Sequence, residues 1–308
     1  MSKLHAHFIR AAASKDAWKQ ATLGELRGVV AGSPAQGVRS LAWAHGLGGS
    51  CAADDARGVA GMLYAAGGPG HTLRVDLRGH GRSQGAAGAC DAELHAWPAA
   101  GAALRAAAHA GGARRAVFGG EAAGAFAALQ AVVGAPEPAH AAAAGLILMR
   151  PPTIWGEREV WRRRYETAAG WVEKDGFEGK DVQWEAKLRL TAASYAGKLS
   201  KQEREVILGE WRAMGAPAYA AALRGLAASE LPCDSVLRGG GGPCGHHSWG
   251  QAGGGAELPG CLRDLAPAHQ GDARLVGCRL IGPWSAVLPE RGCTNSGGVA
   301  TIWVEELE

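Results

Sequence analysis

Through the first half of the chain, short apolar runs that stop at glycine turns alternate with longer stretches of helical period. Val38–Gly46, "VRSLAWAHG", reads as a buried strand ending in a glycine turn, and His71–Gly81, "HTLRVDLRGHG", as a second. Asp91–Gly111 has the period of a helix, with Pro98 tolerable only in a first turn or as a kink. "RRAVFGG" gives a third strand and "AAGAFAALQAVVGA" a helix of small residues suited to tight packing against it. Ala143–Pro152, "AAGLILMRPP", is a fourth strand, closed by two prolines that cannot continue a central ladder. Strands and helices in this order predict a mostly parallel, doubly wound α/β sheet.

The pattern changes after residue 152. From Trp155 to about Ala228, charged residues interleave with Trp155, Trp161, Tyr165, Trp171, Trp184, Tyr195, Trp211 and Tyr219, which predicts amphipathic helices laid over the sheet as a cap. The simplest role for those aromatics is to form the small core of the cap. From Ser229 onward periodicity is lost: Arg238–Gly260 reads as loop or disorder, and strand-like runs return only at Ala273–Gly282 and Val299–Leu307. The expected division is an N-terminal segment (1–28), the first part of an α/β core (29–152), a helical cap (153–228) and a degenerate C-terminal quarter (229–308), partly disordered.

Composition narrows the function classes. With 47 % hydrophobic residues in a 308-residue chain there is ample material for a core, and a net charge of +3 gives no reason to expect nucleic acid. No apolar run approaches the roughly 20 residues of a membrane span. Seven cysteines, an odd number without a secretory signal, favour reduced thiols and a cytoplasmic location. Lys3, Arg10, Lys15 and Lys19 around the single acid Asp16 suit a basic first helix or a frayed terminus, and also leave organellar import open. Cys233, Cys244, His246, His247 and Cys261 lack a Cys-x-x-Cys pair, and their glycine-rich surroundings would not hold a tetrahedral metal, so no metal is expected. No glycine run has the dinucleotide fingerprint, and no cofactor is expected.

Three segments, in order, resemble the α/β-hydrolase fold, and most of all its esterase and enol-lactonase-like group. "HGLGGS" (His45–Ser50) is similar to the loop that supplies one oxyanion-hole amide, "VDLRGHGRS" (Val75–Ser83) to the Asp-x-Arg-Gly-His-Gly-x-Ser turn, and "FGGEAAGAFAAL" (Phe118–Leu129) to the nucleophile elbow and its helix. The resemblance covers about Leu41 to Pro152. It implies that Gly120 and Gly124 flank the elbow and that Ala122 occupies the position of the serine nucleophile. A methyl group cannot attack a carbonyl, so acyl-enzyme chemistry through residue 122 is excluded.

The resemblance further implies that the backbone amides of Leu47 and Ala123, next to Gly46, form the oxyanion hole, and that the acid and base follow the cap. Asp234 and His269 have the better spacing for two separate loops; Asp264 lies too close to His269. Other candidate nucleophiles are Glu121, conceivable for a carboxylate mechanism but expected to be a surface residue, and Ser50 and Ser83, which suit turns. His45 and His80 are expected to bond loop backbone. The leading reading is therefore a hydrolase-fold protein without serine chemistry, a pseudoenzyme or binder of a small ester, lactone or carboxylate. The alternative is an active hydrolase in which an Asp/His pair and the oxyanion hole work without a serine.

Overall fold

The computed structural model describes residues 18–35, 40–60, 63, 70–134, 143–149, 158–183, 198–230 and 299–302. Among these residues seven strands form one sheet: β1 (Lys19–Leu23), β2 (Leu26–Gly32), β3 (Ser40–Ala44), β4 (His71–Asp76), β5 (Ala116–Glu121), β6 (Ala143–Met149) and β7 (Val299–Ile302), in the order β1-β2-β4-β3-β5-β6-β7. The central four, β4, β3, β5 and β6, pair in parallel, and β2 and β7 run against them. Because β1 is antiparallel to β2, it runs with the central strands, so the sheet is mostly parallel.

Residues 19–28, set apart from the core by their sequence pattern, begin the sheet. Leu23 pairs with Leu26 across the two-residue loop Gly24–Glu25, and Gly24 carries φ 65, the conformation that glycine supplies at the first position of a tight hairpin. The basic residues further upstream obscure this signal.

Alternation along the strands sorts the side chains into two cores. Ala42, Ala44, Leu73, Val75, Phe118, Leu146 and Leu148 face one side. There they meet α2 (Trp97–Ala110) and α3 (Ala123–Val133) through Leu104, Ala107, Ala125 and Ala128. Leu41, Trp43, Val117, Ile147 and Met149 face the other side with Val59 and Leu63. With both faces covered, β3, β4 and β5 are buried along their whole length, and β4 buries His71, Thr72, Arg74 and Asp76 with its apolar residues. The expected tight packing of α3 is present: a Cβ at Gly101 of α2 would stand 2.5 Å from Gln130 Cβ of α3. Pro98 lies in the first turn of α2, and the preceding Glu93–His95 forms a separate 3₁₀ turn.

The cap contains α4 (Arg158–Asp175), α5 (Lys201–Ala213) and α6 (Ala216–Ala228). A capping box at Ser200 and Glu203 starts α5. Trp211 and Tyr219 are fully buried and pack edge-on at 5.7 Å, with Phe177 against both, so these aromatics do form the cap's core. Trp171, by contrast, is exposed. Within the cap, Arg158 of α4 bonds the terminal carbonyls of α6 at Leu226 (2.8 Å) and Ala227 (3.0 Å), and also that of Ser229. Its guanidinium also lies 5.1 Å from the centre of the Trp97 ring of α2, and so fastens the cap to the sheet domain. Ser229 Oγ accepts from the Trp97 amide at 2.9 Å and donates to Gly225 O at 2.6 Å. This sheet, its helices on both faces, its cap and the sharp turn after β5 make the α/β-hydrolase fold.

Candidate functional site

The turn between β5 and α3 is built by missing side chains. A Cβ on Gly120 would lie 2.2 Å from Gly124 O, and one on Gly124 would lie 2.3 Å from Ala44 O and 2.4 Å from His45 O. Only glycine allows the first turn of α3 to press so closely on the end of β3. Between these glycines, Ala122 adopts φ 50, ψ −114, the one positive φ outside glycine among the described residues. Its N–H bonds Met149 O at 2.9 Å and its carbonyl accepts from Ala125 N at 3.0 Å. The strained elbow is thus kept around a methyl group. Backbone strain of this kind costs about 1–3 kcal/mol, against roughly 0.5–1 kcal/mol of extra chain entropy lost by a glycine. Ala122→Gly is therefore expected to raise stability by about 1 kcal/mol in urea titrations.

The neighbouring loop is locked by two histidines, as expected from the sequence. His45 Nε2 accepts from Leu77 N at 3.0 Å, and its Nδ1–H meets Gly46 O at 2.7 Å. His80 Nε2 accepts from Gly48 N at 3.0 Å, and its Nδ1–H meets Arg78 O at 2.8 Å. Each ring's tautomer follows from its partners. A Cβ on Gly46 would stand 3.5 Å from Ala122 Cβ, so loop and elbow are in contact. Leu47 and Ala123 then line a common cavity with Arg78, His80, His95, Trp97 and Leu226. Ala123 is the first residue of α3, where an N–H has no intrahelical partner and the helix dipole favours negative charge.

The sequence-derived residues Gly46, Leu47, Ala122 and Ala123 are therefore brought together. Asp234 and His269 lie outside the described residues, as do Cys233, Cys244, His246, His247 and Cys261. The two candidate serines serve structural bonds: Ser50 Oγ caps α1 (Cys51–Ala56) through Ala53 N, and Ser83 Oγ accepts from Arg27 N. Among the described residues no group of His, Cys, Asp and Glu could hold a metal ion, and no helix is long and apolar enough to cross a membrane.

Glu121 corrects an expectation. It is not a surface residue: it is 4 % exposed and its carboxylate meets Arg57 Nη2 at 2.5 Å. Alternation along β5 explains this, since residue 121 shares the face of Val117 and turns away from the cavity that Ala123 lines. Beside it lies Asp54, also buried, whose Oδ2 accepts from Trp43 Nε1 at 3.1 Å. Burial and then the charge of Glu121 push the Asp54 carboxyl up to about 6. Sequence reading also missed His95 and Trp97. Their signal was positional: they follow the strand-end turn of β4, on the sheet edge where such folds place their sites.

No protein-family model matches the chain, and no curated protein matches it by sequence. Among solved structures it is similar to carboxylesterases of the ammonia-oxidizing thaumarchaeon Nitrososphaera gargenis, at 14 % identity over 72 % of this chain and 75 % of that one, TM-score 0.48. It is also similar to epoxide hydrolase A of Mycobacterium thermoresistibile, at 17 % identity over 68 % and 74 %, TM-score 0.44. A hydrolase from Pseudomonas aeruginosa PA01 is similar at 16 % identity over 70 % and 74 %, TM-score 0.45.

Proposed function

We propose that this chain is a non-cleaving relative of ester and lactone hydrolases, which holds a small ester, lactone or carboxylate by its carbonyl or carboxylate oxygen in the cavity beside Ala122. The observation that supports this is the elbow itself: its strained backbone and both flanking glycines persist around an alanine at φ 50. An elbow of this shape aims the Ala123 N–H at the point where a hydrolase stabilises developing negative charge. Without a hydroxyl at residue 122, the same donor binds an oxygen and no acyl group is transferred. Leu47, on the facing loop, is proposed to supply the second amide, with Gly46 keeping the approach open.

The experiment is a titration of the ¹⁵N-labelled native protein with methyl butyrate. The Ala123 amide resonance is expected to shift, with no methanol released over several hours. An unmoved Ala123 resonance would remove the carbonyl site from the proposal. Steady release of methanol would instead establish the active alternative, in which Asp234 and His269 drive water directly onto the substrate.

A further inference from the structure

Another cleft, of about 390 Å³, opens where the β1–β2 hairpin meets the turn that follows β4; Gly24, Glu25, Arg27, Arg82, Ser83 and Gly85 are among the residues that line it. The Arg27 amide ties the two segments together by donating to Ser83 Oγ at 2.8 Å. Arg27 pairs with Asp76, the last residue of β4, so the cleft lies on the same edge of the sheet as the elbow. One turn separates the two places: Leu77, Arg78 and His80 line the cavity beside Ala123, and Arg82 and Ser83 line the cleft.

The charges of the cleft do not cancel. Arg27 stands opposite Thr22 in one ladder and opposite Asp76 in the other, so the three side chains share a face. Asp76 is fully buried and its oxygens are already engaged. Oδ1 accepts from Cys51 N at 2.6 Å, and Oδ2 accepts from Arg82 N at 3.1 Å and Arg82 Nη1 at 3.4 Å. Glu25 is paired with Arg78. Arg27 bonds the Thr22 hydroxyl through Nη1, and among the described residues no carboxylate pairs with it. One positive charge is therefore left over. Thr22 and Asp76 each hold a guanidinium by Nη1, which leaves the Nε and Nη2 side of both Arg27 and Arg82 without a bond among the described residues. That side is the fork of parallel N–H groups that matches the two oxygens of a carboxylate. The space in front is open, since a Cβ on Gly24 or on Gly85 would meet nothing within 4 Å.

We propose that this cleft is a second binding site, which takes a small monocarboxylate on the forks of Arg27 and Arg82. One negative charge balances the one left over by the protein. A dianion such as phosphate would bring a second, beside the half-exposed Glu25 carboxylate at the rim.

The test is a titration of the ¹⁵N-labelled native protein with acetate at pH 8, which follows the amides of Gly85 and Ala86 separately from that of Ala123. The cleft amides are expected to shift and saturate in the millimolar range. Arg27→Gln should weaken this binding roughly 10-fold, the factor of one charge-assisted hydrogen bond. Arg212→Gln, an exposed arginine of α5, removes the same charge elsewhere and should leave it unchanged. Gly85→Asp places an opposing charge in the open space and should abolish it, whatever becomes of the arginine variant. No saturable shift of the cleft amides would overturn the site, and equal weakening by Arg27→Gln and Arg212→Gln would reduce it to a general effect of net charge. Tighter binding of inorganic phosphate than of acetate would overturn the choice of a monocarboxylate.

Discussion

Ala122→Ser is expected to turn over p-nitrophenyl acetate at least 10²-fold faster than the native protein, which should not exceed the buffer rate. The serine would stand on an elbow already in the nucleophile conformation, φ 50, ψ −114, at the start of α3 and beside the Ala123 N–H. A positioned general base contributes 10²–10⁴-fold in such sites, and that base is expected to be His269 with Asp234. The double variant Ala122→Ser, His269→Ala should therefore fall back to the native rate. Folding should not intervene: the conformation of residue 122 is imposed by the glycine contacts around it, and a hydroxyl at an elbow of this kind changes stability by about 0.5 kcal/mol or less. Turnover by the native protein that the serine does not raise would show that the chemistry bypasses residue 122. Silence of both would show that no base reaches it.

The second large effect concerns stability. Asp54 is fully buried with its carboxyl raised from 3.8 to about 6, by burial first and the Glu121 charge second. A raised value means that folding favours the protonated form. The favourable contribution is complete below about pH 4, declines as pH rises, and is lost above about pH 6, a span on the order of 3 kcal/mol. Asp54→Asn carries no charge at any pH and keeps an oxygen for Trp43 Nε1. It should match the native protein near pH 4 and exceed it by about 2–3 kcal/mol at pH 8. Urea midpoints at the two pH values, compared between the two proteins, isolate this group from the other carboxyls. An unchanged difference across that range would remove Asp54 as the source.

Legibility in the sequence followed the glycines. The loop after β3, the turn after β4 and the elbow were readable because each demands small residues at fixed offsets, and those offsets placed Gly46, Leu47, Ala122 and Ala123 at one point. The helical cap was readable from its interleaved charges and aromatics. The β1–β2 hairpin was hidden because its one strong mark, Gly24, sits in an otherwise ordinary polar stretch. Glu121 was misplaced because its neighbourhood suggested an exposed turn, although counting by twos along β5 assigns it to the buried face. His95 was marked only by its position after β4: its close packing against Gly225, 130 positions later, leaves no local pattern in the sequence.

The bond from the Trp97 amide to Ser229 Oγ joins residues 132 apart in sequence. It fixes an order of assembly during synthesis. Trp97 and Phe126, stacked at 4.1 Å between ring centres, can meet as soon as α3 emerges, but α6 and Ser229 follow only after about a hundred more residues. At the usual elongation rates of 5–20 residues per second, that delay is roughly 5–20 s. Throughout it the Trp97–Phe126 pair lacks its contact with Leu226 of α6, so this aromatic stack stays uncovered on the nascent chain until the cap has been made.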